Sequence, residues 1–292
     1  MSLPLGTGIE SVRLRVADLR RTLRFYHDIL GFVETSRPEH HRGLSARIDS
    51  PPLLILEESR DASRPPRPTA GLYHAAIRFP SRGALGAAVR RVIRAEHPLH
   101  GAADHLVSEA VYMTDPEGNG IELYVDRPRE EWRWDGEQIA MATDPLDLQS
   151  LLDEPDAIAL ERESISDGTD IGHIHLQVSD LRQSEEFYSG ILGFEVMQRS
   201  YPGALFLSAG RYHHHIGLNI WGGRGILPLP TGALGLVSFR VRIPGGEEWR
   251  ALCERSDTLR VRQPAERAAG DPPILSLTDP NGIAIELLAA PR

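Results

Sequence analysis

The chain has one cysteine, Cys253, in 292 residues. An internal disulfide needs two and a thiolate metal cluster needs more, so neither organises this fold, and a reducing compartment is expected. No run approaches the roughly 20 apolar residues of a membrane-spanning helix. The opening MSLPLGTGIE lacks the charged-then-apolar pattern of a secretion signal. Positive charge is also in deficit: 32 basic residues against 41 acidic ones leave a net charge of −9. Nucleic acids and anionic membranes select for basic patches, so neither is the expected partner. The expected location is the cytoplasm, and any bound metal has to be held by His, Asp or Glu. The rest of the composition, 41% hydrophobic and 25% charged, is that of an ordinary globular protein. The length allows two domains of about 100–200 residues each.

What the chain does have is a repeat. SVRLRVADLRRTLRFYHDILGF (11–32) matches HIHLQVSDLRQSEEFYSGILGF (173–194) without a gap, at an offset of 162 residues. Each copy reads as an alternating strand, an Asp-Leu-Arg turn and a helical segment with paired aromatics (Phe25-Tyr26, Phe187-Tyr188). Gly31 or Gly193 then stops the helix. The copies also end alike, in TDPEGNGIEL (114–123) and TDPNGIAIEL (278–287). Inside each copy the strand–helix opening recurs, at GLYHAAIRFPSRGALGAAVRRVI (71–93) and LGLVSFRVRIPGGEEWRALCERS (234–256). The expected class is α+β: two tandem domains, each of two βαβββ modules, with mixed, mostly antiparallel sheets curved around a cup. The expected boundaries are 7–130 for the first domain, 131–168 for an acidic, Pro-bearing linker with a short helix, and 169–290 for the second domain.

Several strands carry polar residues where a buried row should be apolar, and each needs a partner or a task. On 173–178, His173, His175 and Gln177 oppose Ile174, Leu176 and Val178; on 72–79, His74 shares a face with Leu72 and Ala76; on 120–125, Glu122 shares one with Gly120 and Tyr124. YHHHIGLNIW (212–221), read as a strand, puts His213, His215 and Asn219 on the cup face and His214 with Ile216 and Leu218 behind it. Together His74, Glu122 and His173 are two imidazoles and a carboxylate, the ligand set of a non-haem Fe(II) triad and of several Zn sites. The other candidates have plainer expectations. His175 is a hydrogen-bonded core residue, His40 and His41 on RPEHHRG are solvated, and Trp132 and Trp134 anchor a domain interface. Glu286 is the rival carboxylate unless an arginine such as Arg13 or Arg15 satisfies it.

These paired modules, openings and endings resemble the vicinal oxygen chelate superfamily, which includes glyoxalase I, fosfomycin-resistance proteins, bleomycin-binding proteins and extradiol ring-cleaving dioxygenases. They look most like its two-domain bacterial catechol-2,3-dioxygenase branch. The resemblance implies His74, Glu122 and His173 as metal ligands, His105 and Tyr112 as hydrogen-bond partners of the substrate oxygens, and His215 as an acid–base residue. It implies Fe(II), with Mn(II) as the alternative, and a catechol-type aromatic opened with O2; a homo-oligomer is compatible with it. One departure is plain. Familiar members draw all ligands from one domain, whereas here the offset puts Ser11 opposite His173, Leu53 opposite His215 and Leu236 opposite His74. Ala269 and Ser276 likewise stand opposite His105 and Tyr112. One site is therefore expected, built by the second module of the first domain and the first module of the second. A glyoxalase-like isomerase or lyase is the alternative, but it calls for a carboxylate on the strand that here offers His215 and Asn219. A non-enzymatic small-molecule binder is the other alternative, and it has no use for the aligned His, His and Glu.

Overall fold

The computed structural model describes residues 2–36, 41–66, 68–162, 164–257 and 274–290; His40 and Ala269 lie outside the described residues. Each half opens as its motif dictates. The Asp18 carboxylate accepts the Arg21 N–H and Asp180 accepts that of Gln183, capping the helices Leu19–Leu23 and Leu181–Glu185. Both helices widen into a π-helical turn, Arg24–Ile29 or Glu186–Ile191. They stop at Gly31 (φ +87°) and Gly193 (φ +92°), a conformation that suits glycine.

The two repeated motifs bind each other. The Tyr26 hydroxyl donates to Asp115 Oδ2 (3.1 Å) and that of Tyr188 donates to Asp279 Oδ2 (3.2 Å). The other oxygen of each Asp accepts backbone N–H groups of its own Gly-rich turn, from Glu117 and Asn119 or from Asn281 and Ile283. The aromatics that open each half thus hold the turn that closes it.

The strands assemble into two large sheets. One runs Ile274–Thr278, Ala284–Ala290, Gly235–Pro244, Gly8–Val16, Leu54–Glu58, His41–Ser45, Val33–Ser36. The other runs Asp144–Pro145, Gly101–Asp104, Ser108–Thr114, Gly120–Asp126, Gly71–Arg78, Asp170–Gln177, Ile216–Asn219, Ala204–Ser208, Glu195–Gln198. The first module therefore shares a sheet with the fourth, and the second with the third. Both seams are antiparallel pairs of module-opening strands. The alternating apolar rows, such as Val12, Leu14 and Val16 or Ile174, Leu176 and Val178, join one continuous core with helix residues Leu85, Val89 and Val92. No helix among the described residues is long and apolar enough to cross a membrane.

The segment after Asp126 is a packed layer. Its helices Leu148–Leu152 and Pro155–Leu160 lie on the helix Arg82–Arg94, and Arg90 and Arg94 of that helix pair with Glu161. Close approach requires glycine: a Cβ on Gly86 would stand 2.5 Å from the Leu151 carbonyl oxygen and 2.7 Å from Ala157 Cβ. In an open helix Gly→Ala stabilises by about 1 kcal/mol. Here the overpacking dominates, and Gly86→Ala is expected to destabilise by about 1–3 kcal/mol. Urea unfolding measures it; a raised midpoint would mean that the two helical layers do not touch.

Candidate metal centre

Sheet register builds the centre. His173 lies opposite Ala76, and Ala76 lies beside Glu122 on its other neighbour strand. The three strands Asp170–Gln177, Gly71–Arg78 and Gly120–Asp126 stand about 4.8 Å apart, so the His173 and Glu122 side chains can meet only above the methyl group of Ala76. His74, two residues earlier on the central strand, faces the same way. The Nε2 atoms of His74 and His173 lie 2.9 Å and 3.2 Å from the same Glu122 oxygen, Oε2. One ligand atom from each of the three residues falls within 4.8 Å of the others.

All three side chains are buried, and their electrostatics are those of a cation site. His74 Nε2 is close to the carboxylate but not aligned for a hydrogen bond, and it is left buried without a hydrogen-bond partner. Such an orphaned nitrogen is costly unless a ligand takes its lone pair. Burial pushes His173 down to about 4, so its ring is neutral at neutral pH and can offer a lone pair. Burial opposes ionisation of Glu122, but the adjoining His173 and His74 rings overcome it and hold the carboxyl well below its usual range. The basic side chains within 4 Å of it among the described residues are those two imidazoles. The donor set therefore fits a divalent metal.

The matching row in the other sheet is Ser11, Arg240 and Glu286. Arg13 pairs with Ser238 across that seam as His175 pairs with His74 across this one, so Ser238 corresponds to His74. The constant offset had put Leu236 there. Arg240 occupies the place of Ala76, and its Nε and Nη2 donate to Glu286 Oε2 at 3.0 and 2.6 Å. Glu286 is satisfied by Arg240; Arg13 and Arg15 instead face Glu57. His74, Glu122 and His173 form the metal-competent cluster among the described residues.

The cluster lines a cavity of about 1060 Å³, together with His105, Tyr112, His175 and His214. His105 Nδ1 donates to the Ala142 carbonyl (2.6 Å), so its Nε2 accepts the Tyr112 hydroxyl (2.6 Å). Burial and the charge of Glu122 push that phenol well above its usual value. Ala142, Met141 and Thr143 of the expected linker also line the cavity, and no hydropathy period in the sequence marks them.

Three histidines depart from expectation. The strand begins only at Ile216, and the three histidines before it follow a turn at Arg211 (φ +55°), so alternation slips by one residue. His214 lines the cavity, its ring 4.0 Å from that of His173. His215 is not among the cavity-lining residues: its Nδ1 accepts the Ala209 N–H (3.2 Å) and lies 3.0 Å from the Ser208 hydroxyl. Burial lowers both, His215 to about 3. His175, expected to be hydrogen-bonded, has a buried Nε2 without a partner and faces the cavity among Tyr73, Phe206 and Trp221. Trp132 is buried against Val107, Met197 and Tyr212, Trp134 lies under the Arg211 guanidinium, and His41 is 3.6 Å from Glu57.

This architecture has relatives. The family model described as the Glyoxalase/Bleomycin resistance protein/Dioxygenase superfamily matches residues 8–123 and 170–287. The chain belongs to that superfamily. Over 286 residues it is 45% identical to a catechol-2,3-dioxygenase of Bacillus subtilis (strain 168), covering 91% of this chain and 97% of that one. Among solved structures, a putative dioxygenase from Bacillus subtilis subsp. subtilis str. 168 superimposes with a TM-score of 0.66 at 13% identity, over 99% of this chain and 86% of that one. Glyoxalase I from Zea mays does so with a TM-score of 0.58 at 15% identity, over 97% and 92%. At such identities the two structures speak for the fold alone.

Removing any one donor should empty the centre. His74→Ala, His173→Ala and Glu122→Gln are each expected to weaken divalent-metal affinity by more than about 100-fold, beyond the 10–100-fold that supporting residues cost. Glu286→Gln should leave it unchanged. Elemental analysis and titration calorimetry decide; full occupancy in one of the three variants would remove that residue from the centre.

Proposed function

We propose that the chain is a metal-dependent extradiol dioxygenase that opens a catechol-type aromatic ring with O2. The observation that carries this reading is the convergence of two imidazoles and one carboxylate on a cavity also lined by Tyr112, His105 and His214. The 45% identity to a catechol-2,3-dioxygenase supports it. Fe(II), or Mn(II) as the alternative, would be held by His74, Glu122 and His173. Bound there, such a metal would leave room for the catechol oxygens and O2 and would favour ionisation of a bound phenol.

The surrounding residues supply the rest. The Tyr112 proton is directed at His105 Nε2, so its oxygen lone pairs are free to accept a substrate hydroxyl. His214 takes the role expected of His215: a neutral imidazole packed on His173 can accept the phenol proton and later return it. Tyr73, Phe206 and Trp221 give the aromatic ring an apolar wall. The strand Ile216–Asn219 presents Gly217 and Asn219 beside His175 and Gln177, with no carboxylate among its four residues, so the isomerase alternative lacks its extra ligand.

Protein reconstituted with Fe(II) under anaerobic conditions should consume O2 on addition of catechol and release a coloured ring-opened product. His214→Gln should keep its metal yet lose about 10²–10⁴ in rate, the usual size of an acid–base contribution. His215→Gln should stay active. Oxygen electrode traces of the three proteins test this. Isomerisation of a hemithioacetal without O2 uptake would favour the glyoxalase-like alternative.

A further inference from the structure

We infer that Asp126 and His213 act as positioning residues that fix the tautomer of His214, so that His214 offers an unprotonated Nε2 to the cavity. This rests on the reading of His214 as the proton acceptor. The contacts form a continuous line: Asp126 Oδ1 to His213 Nε2 is 2.8 Å, and His213 Nδ1 to His214 Nδ1 is 2.8 Å.

Proton counting along this line leaves one arrangement for neutral rings. Asp126 is surrounded by donors: the Tyr212 hydroxyl lies 2.9 and 3.0 Å from its two oxygens, and Arg78 Nη1 is 3.1 Å from Oδ2. The Tyr124 hydroxyl, 2.8 Å from that of Tyr212, donates to it, because Tyr212 spends its own proton on Asp126. Burial works against ionisation, yet His213, Arg78 and Tyr212 hold the Asp126 carboxyl below its usual value. An ionised carboxylate only accepts, so His213 Nε2 carries the ring proton and Nδ1 keeps the lone pair. A 2.8 Å N···N contact needs one proton, which His214 Nδ1 must supply. Nε2 of His214 is then bare. It is also the ring nitrogen with no hydrogen-bond partner in the described structure, on a residue that lines the cavity. His213 is fully buried and packed against the rings of Tyr212, Trp132 and Tyr124, which keeps it from turning.

The chain of protons can be reversed by one atom. In Asp126→Asn the amide can donate to His213 Nε2, which moves the ring proton to Nδ1 and forces His214 to accept there and protonate Nε2. That variant is expected to keep its metal content and KM while kcat falls by about 10²–10⁴. His213→Asn retains an oxygen able to accept the His214 Nδ1–H, and kcat should recover to within about tenfold of the parent. The spectroscopic readout uses Mg(II)-loaded protein with 15N-labelled histidine, with His214 assigned by its loss in His214→Gln. Long-range 1H–15N correlations should find His214 Nδ1 protonated and Nε2 bare in the parent, and the reverse in Asp126→Asn. A protonated Nε2 at His214 or a doubly protonated His213 in the parent overturns the inference, and so does an unchanged His214 pattern in Asp126→Asn. The parent spectrum alone decides if Asp126→Asn does not fold. If the tautomers are as expected but His214→Gln turns over at the parent rate, the positioning stands and the function assigned to His214 falls.

Discussion

A carboxylate buried without a fixed cation governs this structure. Glu122 has two imidazoles for company, whereas its counterpart Glu286 has a guanidinium, that of Arg240. An ionised carboxylate in a low-dielectric interior costs several kcal/mol unless an opposite charge or good donors offset it. One sheet pairs its carboxylate, which is 26% exposed, with a side chain. The other has a methyl group, Ala76, at the same register position, and above it the His173 ring meets Glu122. The difference between a structural ion pair and a candidate metal centre comes down to Ala76 against Arg240, with His173 and His74 against Ser11 and Ser238.

The same constraint explains why the chain exchanges its modules. The candidate ligands fall on the second and third modules, and those modules share a sheet only because their opening strands, Gly71–Arg78 and Asp170–Gln177, pair directly. The Tyr26–Asp115 and Tyr188–Asp279 bonds tie each first module to the second module of its own half. Each half is thus bonded internally by its motifs and externally by its sheets. The centre sits across the seam, where a shift of register by one residue would turn His173 or His74 into the core.

Much of this was legible in the sequence, for a physical reason. A buried strand tolerates few polar residues, so His74, Glu122 and His173 stand out against apolar rows, and an ungapped repeat exposes the module plan. What escaped did so where regularity fails. Alternation holds only inside a regular strand, and the turn at Arg211 passed the cavity-facing position from His215 to His214. A constant offset cannot follow a length difference: the first and third modules align at 162 residues but the second and fourth at 164 (238 − 74 and 286 − 122), which moves the His74 counterpart from Leu236 to Ser238. The cavity wall at Met141–Thr143 comes from a stretch with no period at all, and its contribution is a backbone carbonyl, which carries no sequence signature.

The most direct measurement is anomalous diffraction from crystals grown with Mn(II) or Fe(II). One strong peak is expected about 2.0–2.2 Å from the nearest nitrogens of His74 and His173 and an oxygen of Glu122, with density for the Arg240–Glu286 pair undisturbed. A peak at Glu286, or His74 and His173 still closed on Glu122 at saturating metal, would contradict it.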